Sequence, residues 1–175
     1  MVLLVLITAV ASAATAAFVL TAPGAFEAAF RRQAEAGADA VVCVNLSAAL
    51  SATMQAAENA AKAVAPDLEV RVLDSKSITA GLGTMVKLAA QAARDGGDAD
   101  SVVALVEDIA SRTCVLGTLD TLENLKKGGR IGAAQSLLGS MLSIKPMLDL
   151  TGGVVKPAGR IRTRRKALEW VRDQV

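Results

Sequence analysis

A basic loop around two adjacent glycines is the part of the chain best suited to holding an anion. Lys126, Lys127 and Arg130 flank Gly128 and Gly129. Glycine has no side chain to cover the backbone, so the N–H groups of such a loop can approach a carboxylate or a phosphate closely. The three cations add favourable charge without a metal ion. We interpret Arg130 as the candidate contact to an acidic head group, and Lys126 and Lys127 as solvated or partner-facing side chains.

A second candidate anion contact lies at the start of a predicted helix. Ser51 follows an apolar strand-like run, and its hydroxyl, the uncovered N–H groups of the first turn and the helix dipole all favour an anion. The alternative is that Ser51 is an ordinary N-cap. Thr53, two residues later, is a candidate for the same anion or for a local hydrogen bond to the backbone. For Arg130 the alternative is a salt bridge to Asp120 or Glu123 that fixes the loop.

Composition excludes the commonest catalytic arrangements. The 175-residue chain contains no histidine, which rules out Ser-His-Asp and Cys-His arrangements within it and removes the commonest zinc ligand. Hydrophobic residues make up 53% of the chain but aromatic residues only 2%, so the core must be aliphatic and can line a smooth apolar cavity. The chain therefore offers no self-contained catalytic arrangement, and we expect it to have no cofactor or metal of its own and not to be an enzyme.

Charge and cysteine content narrow the setting further. The net charge of +2 is too small to indicate nucleic-acid binding through bulk charge. Residues 160–166 carry five cations without interleaved aromatic residues, so we interpret them as a solvated helix start or a docking surface and expect no nucleic-acid partner. Cys43 and Cys114 each lie in an apolar run, which predicts buried structural thiols in a reducing, cytoplasmic setting.

Strand and helix patterns alternate regularly through the first two thirds of the chain. The spacing of apolar residues, prolines and glycines predicts helix 23–37, strand 39–46, helix 51–64, strand 68–73, helix 78–94, a helix from Asp100 or Ser101 to Ser111, and strand 113–119. Such alternation is typical of an α/β fold in which helices sandwich a mostly parallel sheet. We assign residues 23–112 to an N-terminal α/β lobe.

The pattern changes at about residue 113, where we place the start of a second lobe, 113–175. The predicted elements are a short helix 121–126, a helix 133–142, a β-hairpin of 145–150 and 154–159 joined by 151–153, and a closing helix 163–174. In the closing helix, Leu168, Trp170 and Val171 are available for burial.

Residues 1–22 form an uncharged apolar segment that three interpretations fit. The segment is a buried strand followed by an alanine-rich helix, a signal or membrane segment, or a non-native start that replaces other sequence. The signal interpretation lacks the basic residues that normally begin a signal peptide, and small and hydroxylated residues dilute the second half of a membrane span. We expect no stable membrane insertion, and export or membrane association is the alternative to a cytoplasmic location.

Five sequence blocks occur in an order that is informative as a set. They are Asn45–Thr53 (compare ISSxLSGT), Leu73–Gly83 (xDSxxxxxGLG), Leu119–Gly132 (LxxLxKGGRI), Ile144–Leu148 (IKPIL) and Gly159–Ala167 (VRxxxKA). In this order they resemble the DegV family of bacterial fatty-acid-binding proteins, over the chain from about Pro23 to its end. The joint occurrence of the blocks makes the resemblance specific, since no single block is rare.

The resemblance implies a two-lobed α/β protein that encloses a long-chain fatty acid. It also implies that the protein presents the fatty-acid carboxylate to a separate fatty acid kinase subunit, similar to dihydroxyacetone kinases, which makes the acyl phosphate. ATP and Mg²⁺ would belong to that kinase, and this chain would supply substrate and positioning. Ser51 matches the family's head-group serine, and with Thr53 and Arg130 it forms our candidate carboxylate site.

The chain also departs from the family pattern. The Thr-Ser-Gln of a carboxylate-binding turn is replaced by Phe18, Val19 and Leu20, so Thr21 is only a distant candidate for a head-group threonine. Ala52 stands where the family has glycine, and the histidine that many relatives place late in the chain is absent. We therefore expect a relative truncated at both ends, whose sheet lacks its first strand. The alternative function is that of a ligand-incompetent relative with only a structural or interaction role.

Overall fold

The computed structural model describes residues 3–7, 22–138 and 144–174, with the backbone alone for residues 3–7. The predictions for the rest of the first 21 residues, among them Thr21 as a head-group candidate, lie outside the described residues, as does the end of the predicted helix 133–142. Within the described ranges, no helix is both long enough and apolar enough to cross a lipid bilayer.

The first lobe is an α/β sandwich around a parallel sheet. Its elements are strand β1 (Leu3–Ile7), helix α1 (Pro23–Glu35), strand β2 (Ala40–Asn45), helix α2 (Thr53–Val64), strand β3 (Glu69–Asp74), helix α3 (Thr79–Arg94) and helix α4 (Ala99–Arg112). The three strands lie in the order β1-β2-β3 and are parallel. The predicted α/β class with a parallel sheet is confirmed.

Strand β1 corrects one expectation. We expected a sheet without its first strand, but Leu3–Ile7 pairs in parallel with β2, with Leu3 opposite Ala40 and Ile7 opposite Val44. The run of leucine, valine and isoleucine suits a strand. Pairing on this side also gives the backbone groups of β2 hydrogen-bond partners along both edges.

Strand β2 is apolar from Ala40 to Val44, as expected for a strand that helices cover on both faces. Successive side chains of a strand point to opposite faces. Val42 and Val44 pack against α3 and α4, whereas Val41 and Cys43 pack against α1 and α2. The helical residues of these two cores include Phe26, Phe30, Ala57, Val64, Leu82, Val86, Val102 and Val106. This burial fixes the carboxyl end of β2, from which the Ser51 turn starts.

The second lobe is built on an antiparallel sheet. Its elements are strand β4 (Leu116–Thr118), helix α5 (Glu123–Lys127), a 3₁₀ helix (Gly132–Leu137), strand β5 (Lys145–Asp149), strand β6 (Lys156–Ile161) and helix α6 (Arg164–Arg172). The strand order is β4-β5-β6, so the predicted hairpin forms. A small core of Leu122, Ile131, Ala134, Leu148 and Val155 holds the lobe together.

The segment after the basic loop is a 3₁₀ helix and not the start of the predicted α-helix 133–142. The N–H group of Leu138 donates to the carbonyl of Gln135, three residues back, at 3.0 Å. Gly132 begins the segment with a φ of +52°, and a Cβ there would lie 2.7 Å from the carbonyl oxygen of Val155. This close approach of two backbones requires glycine and favours a tight turn over a regular α-helix.

Two burial predictions are wrong. Cys114 is exposed because it lies in the connection between the lobes, before β4 begins. Leu168 has 52% of its surface exposed, and α6 instead buries Ala167. A helix of nine residues that packs on one side only can bury few of its apolar positions.

Candidate functional site

The turn between β2 and α2 holds Ser51 in a defined place. The buried strand fixes the turn's first end at Asn45. The N–H group of Ser47 donates to the carbonyl of Ser77 at 2.9 Å, and the carbonyl of Ser47 accepts from Leu50 and Ser51 at 3.1 and 3.2 Å. Since ligands of parallel α/β sheets bind at the carboxyl ends of the strands, this turn lies where a site is expected.

The hydroxyls of Ser51 and Thr53 are paired. Their oxygens lie 2.7 Å apart, and the N–H group of Thr53 donates to Ser51 Oγ at 3.3 Å. Thr53 is buried, whereas Ser51 is half-buried. The helix begins at Thr53 with Ala52 in the N-cap position, so Ser51, the predicted cap, lies one residue before the observed one. Ser51 Oγ still satisfies the first helical N–H group.

Arg130 reaches this turn from the second lobe. Its Nε donates to the carbonyl of Leu50 at 3.2 Å, and its Nη1 donates to the carbonyl of Gly128 at 2.7 Å. The structure therefore brings Arg130 to the residue that immediately precedes Ser51. The guanidinium has five N–H donors, and these two bonds use only two of them.

The alternative role of Arg130, a salt bridge to Asp120 or Glu123, is not the observed arrangement. Asp120 pairs with Lys145 at 2.9 Å, and Glu123 pairs with Lys127 at 3.7 Å. The hydrogen bond from Lys145 and its charge hold the pKa of the Asp120 carboxyl below its ordinary value.

The glycine loop itself does not offer the N–H cradle that the sequence suggested. The N–H groups of Gly128, Gly129 and Arg130 donate to carbonyls of α5, at 2.9, 3.0 and 2.9 Å. The loop thus ends the helix by satisfying its last carbonyls, which is a common role for glycine at this position. The side chain of Arg130 extends from the loop to the Ser51 turn.

A second contact joins the same turn to the second lobe. Ser47 Oγ donates to the carbonyl of Gly153 at 2.6 Å, and Ser47 is only 1% exposed. Gly153 has a φ of +80°, and a Cβ on it would collide with the Ser47 side chain. The side chain of Leu50 also packs against the core of the second lobe. The sequence indicated a turn at Gly153 but not its partner, since 106 residues separate the two.

Buried polar groups lie around the ends of β2 and β3. Asn45, Ser75 and Ser77 are 0%, 0% and 2% exposed. The Asn45 amide donates to the carbonyl of Cys43 at 3.2 Å, while Asn45 Oδ1 and Ser77 Oγ have no hydrogen-bond partner among the residues that the structure describes. The sequence pattern did not indicate these three as site residues. The available signal was their position at or shortly after the carboxyl ends of β2 and β3.

The remaining candidates lie apart from this turn. Lys126 and Lys127 are exposed, as expected for solvated side chains. In the cationic stretch 160–166, Arg160 donates to the carbonyl of Ser136 at 2.8 Å. Burial raises the pKa of the Cys43 thiol to about 12, which makes it a poor nucleophile. Among the described residues, no cluster of three potential metal ligands occurs.

The fold and this arrangement define a two-lobed α/β protein with its candidate site where the lobes meet. A family profile described as "Uncharacterised protein, DegV family" matches residues 9–175. The chain is 45% identical over 146 residues to a DegV domain-containing protein of Streptomyces coelicolor. The aligned region covers 83% of this chain and 51% of that protein. A DegV domain-containing protein of Deinococcus radiodurans is 38% identical over 143 residues, covering 82% and 50%. The chain belongs to the DegV family, and it spans about half the length of the curated relatives it matches.

Solved structures of the family share the fold. A DegV family protein from Thermus thermophilus, described as binding a fatty acid, superposes with a TM-score of 0.78 at 36% identity, over 87% of this chain and 54% of that one. DegV from Bacillus subtilis, described as a fatty acid binding protein, gives 0.75 at 28% identity, with 87% and 54% covered. A DegV family protein from Corynebacterium glutamicum gives 0.84 at 24% identity over 99% and 73%, which supports the fold alone.

Proposed function

We propose that this chain binds a long-chain fatty acid with its carboxylate at the Ser51 turn. The observation that carries the proposal is the hydrogen bond from Arg130 of one lobe to the carbonyl of Leu50 of the other, because Leu50 is the residue before Ser51. The Thermus thermophilus and Bacillus subtilis relatives, both more than 25% identical to this chain, are described as fatty-acid-binding, which supports the same ligand class here.

The chemistry of the turn suits a carboxylate. Ser51 supplies a hydroxyl at the start of a 12-residue helix, whose N-terminus carries partial positive charge. Arg130 keeps N–H donors beyond the two that bind carbonyls, and arginine pairs well with carboxylates. Leu46 and Leu50, in the same turn, are partly buried against the cores of the two lobes, so aliphatic surface borders the polar groups.

We further propose that the bound carboxylate is presented to a separate kinase subunit, of the class similar to dihydroxyacetone kinases, for conversion to an acyl phosphate. In this scheme ATP and Mg²⁺ act in the kinase, and this chain carries no cofactor of its own and is not itself an enzyme. A cytoplasmic location follows from the same scheme, since ATP-dependent kinases act there.

The first test is mass spectrometry of the organic extract of the purified, folded protein. A stoichiometric long-chain fatty acid in the extract is the expected result. An extract without lipid, from a protein that melts cooperatively, would contradict the proposal and favour a ligand-incompetent relative.

Substitution then tests the site. Ser51→Ala and Arg130→Ala should each reduce the fatty acid retained and the acyl phosphate formed by the kinase with ATP and Mg²⁺, while the fold persists. Ser136→Ala and Arg165→Ala are matched controls, because both side chains are exposed and their contacts are local. If the two site variants retain lipid as well as the controls do, the assignment of Ser51 and Arg130 is wrong.

A further inference from the structure

The direction of the hydrogen bond between Ser51 and Thr53 follows from their burial. Thr53 is 3% exposed, and its hydroxyl oxygen lies 2.7 Å from Ser51 Oγ. Within residues 22–138 and 144–174, no other hydrogen bond of the Thr53 hydroxyl is found. A buried O–H group without an acceptor is unfavourable. The Thr53 proton therefore points to Ser51, the acceptor it can reach.

This direction decides what Ser51 can offer to a ligand. Ser51 Oγ then accepts two hydrogen bonds, one from the Thr53 hydroxyl and one from the Thr53 N–H group at 3.3 Å. A hydroxyl oxygen has two lone pairs, and both are now used. Ser51 is half-buried, so its own proton is the group that remains for water or a ligand.

We propose that Thr53 is a positioning residue, because its hydrogen bonds leave the Ser51 hydroxyl able only to donate. A ligand group beside Ser51 must then be a strong acceptor, such as a carboxylate, and the donated hydrogen bond stabilises the charged form of that carboxylate. Thr53 acts through Ser51 and does not itself touch the ligand. The identity of the ligand rests on the proposed function, whereas the hydrogen-bond direction does not.

Thermal unfolding of lipid-free protein tests the direction without any ligand. Ser51→Ala leaves the buried Thr53 hydroxyl without its acceptor, so we expect a clear fall in melting temperature. In Thr53→Val the half-buried Ser51 hydroxyl can form a hydrogen bond with water instead, so the fall in melting temperature is smaller. In the double variant no orphaned hydroxyl remains, and the melting temperature recovers toward that of Thr53→Val. A double variant that melts as low as Ser51→Ala, or lower, overturns the proposed direction.

A pH titration of bound fatty acid tests the consequence. With ¹³C-carboxyl-labelled palmitate as the probe, NMR gives the pKa of the bound carboxyl. Thr53→Val should raise that pKa by about one unit, equivalent to about tenfold weaker binding of the charged form. Thr53→Ser should restore the parent value. Thr113→Val is the control, because it removes a hydroxyl that donates to the carbonyl of Ile109 at 2.7 Å on α4. It should change neither the pKa of the bound carboxyl nor the affinity for palmitate.

The outcomes separate the two proposals. If the parent binds palmitate and Thr53→Val leaves the bound pKa unchanged, the positioning role of Thr53 is wrong and fatty-acid binding stands. If the parent binds no palmitate, the proposed function fails, and the melting comparison alone decides the hydrogen-bond direction.

Discussion

Ser47 Oγ donates to the carbonyl of Gly153 at 2.6 Å across the boundary between the two lobes. The contact is buried and lies in the turn that carries Ser51. Together with the bond from Arg130 to Leu50, it ties the candidate site to the second lobe at two points. The position of Ser51 therefore depends on residues that lie far from it in the chain.

Replacing Gly153 with alanine should destabilise the protein. The residue has a φ of +80°, which alanine adopts poorly, and the new methyl group would collide with Ser47. We expect a loss of about 1–3 kcal/mol in the free energy of unfolding, measured by urea titration. Gly83→Ala is the matched control, because that exposed glycine of α3 has open space around it and alanine should stabilise the helix by about 0.5–1 kcal/mol. Equal effects at both positions would show that the lobe contact is dispensable.

Substitutions at Arg130 should separate charge from geometry. Arg130→Lys keeps the charge but loses the planar group that bonds both Leu50 and Gly128, so fatty-acid binding should weaken by about threefold. Arg130→Ala should weaken it by about tenfold, since a hydrogen bond to a charged group is removed. Titration with a fluorescent fatty acid measures both. If the lysine variant binds as weakly as the alanine variant, the two carbonyl contacts and not the charge dominate.

The two cysteines should differ sharply in reactivity. Cys114 is exposed, and Cys43 is buried with its pKa raised to about 12. In native protein at pH 8, one thiol should react with a disulfide reagent, and the second should react only after denaturation. A Cys114→Ser variant should show no fast reaction. Rapid modification of two thiols in the native parent would contradict the burial of Cys43.

Stability should fall at high pH because of Cys43. Burial raises its pKa from 9.0 to about 12, so the folded state keeps the neutral thiol where the unfolded state ionises. The contribution of the neutral Cys43 thiol to the free energy of unfolding is therefore fully present below about pH 9 and is lost as the pH rises toward 12. Cys43→Ala should flatten this part of the dependence in urea unfolding between pH 8 and pH 10. If the free energy of unfolding of the variant falls with pH as steeply as that of the parent, groups other than Cys43 cause the fall.

Asp98 should make the stability of α4 depend on acid. Its carboxylate accepts from the N–H group of Ser101 at 2.8 Å, and hydrogen bonds from the backbone and side chain of Ser101 lower its pKa. A lowered pKa gives stability that is present above the ordinary aspartate value of 3.8 and is lost as the pH falls through the folded value. Asp98→Asn should keep the hydrogen bond that caps α4 but remove the dependence of stability on acid. Asp98→Ala should remove both the capping hydrogen bond and the acid dependence. Melting temperatures at pH 7 and pH 3 measure both effects.

The local elements of this protein follow from its sequence. The continuous apolar run of β2 indicated a strand covered on both faces, and the positions of Pro23 and Gly37 marked the helix before it. Residues 151–153 indicated the hairpin turn between β5 and β6. Such features depend on neighbours a few residues apart, so composition and spacing suffice to predict them.

Only the tertiary structure decided how the candidate site is assembled. The sequence singled out Ser51 and Arg130, but the contact of Arg130 with Leu50 spans 80 residues and depends on how the lobes pack. The basic loop suggested an N–H cradle for an anion, yet its N–H groups are used to end α5. Sequence motifs show which hydrogen-bonding groups a segment contains. Long-range packing decides which other groups compete for their hydrogen bonds, so only the folded structure shows which donors remain free for a ligand.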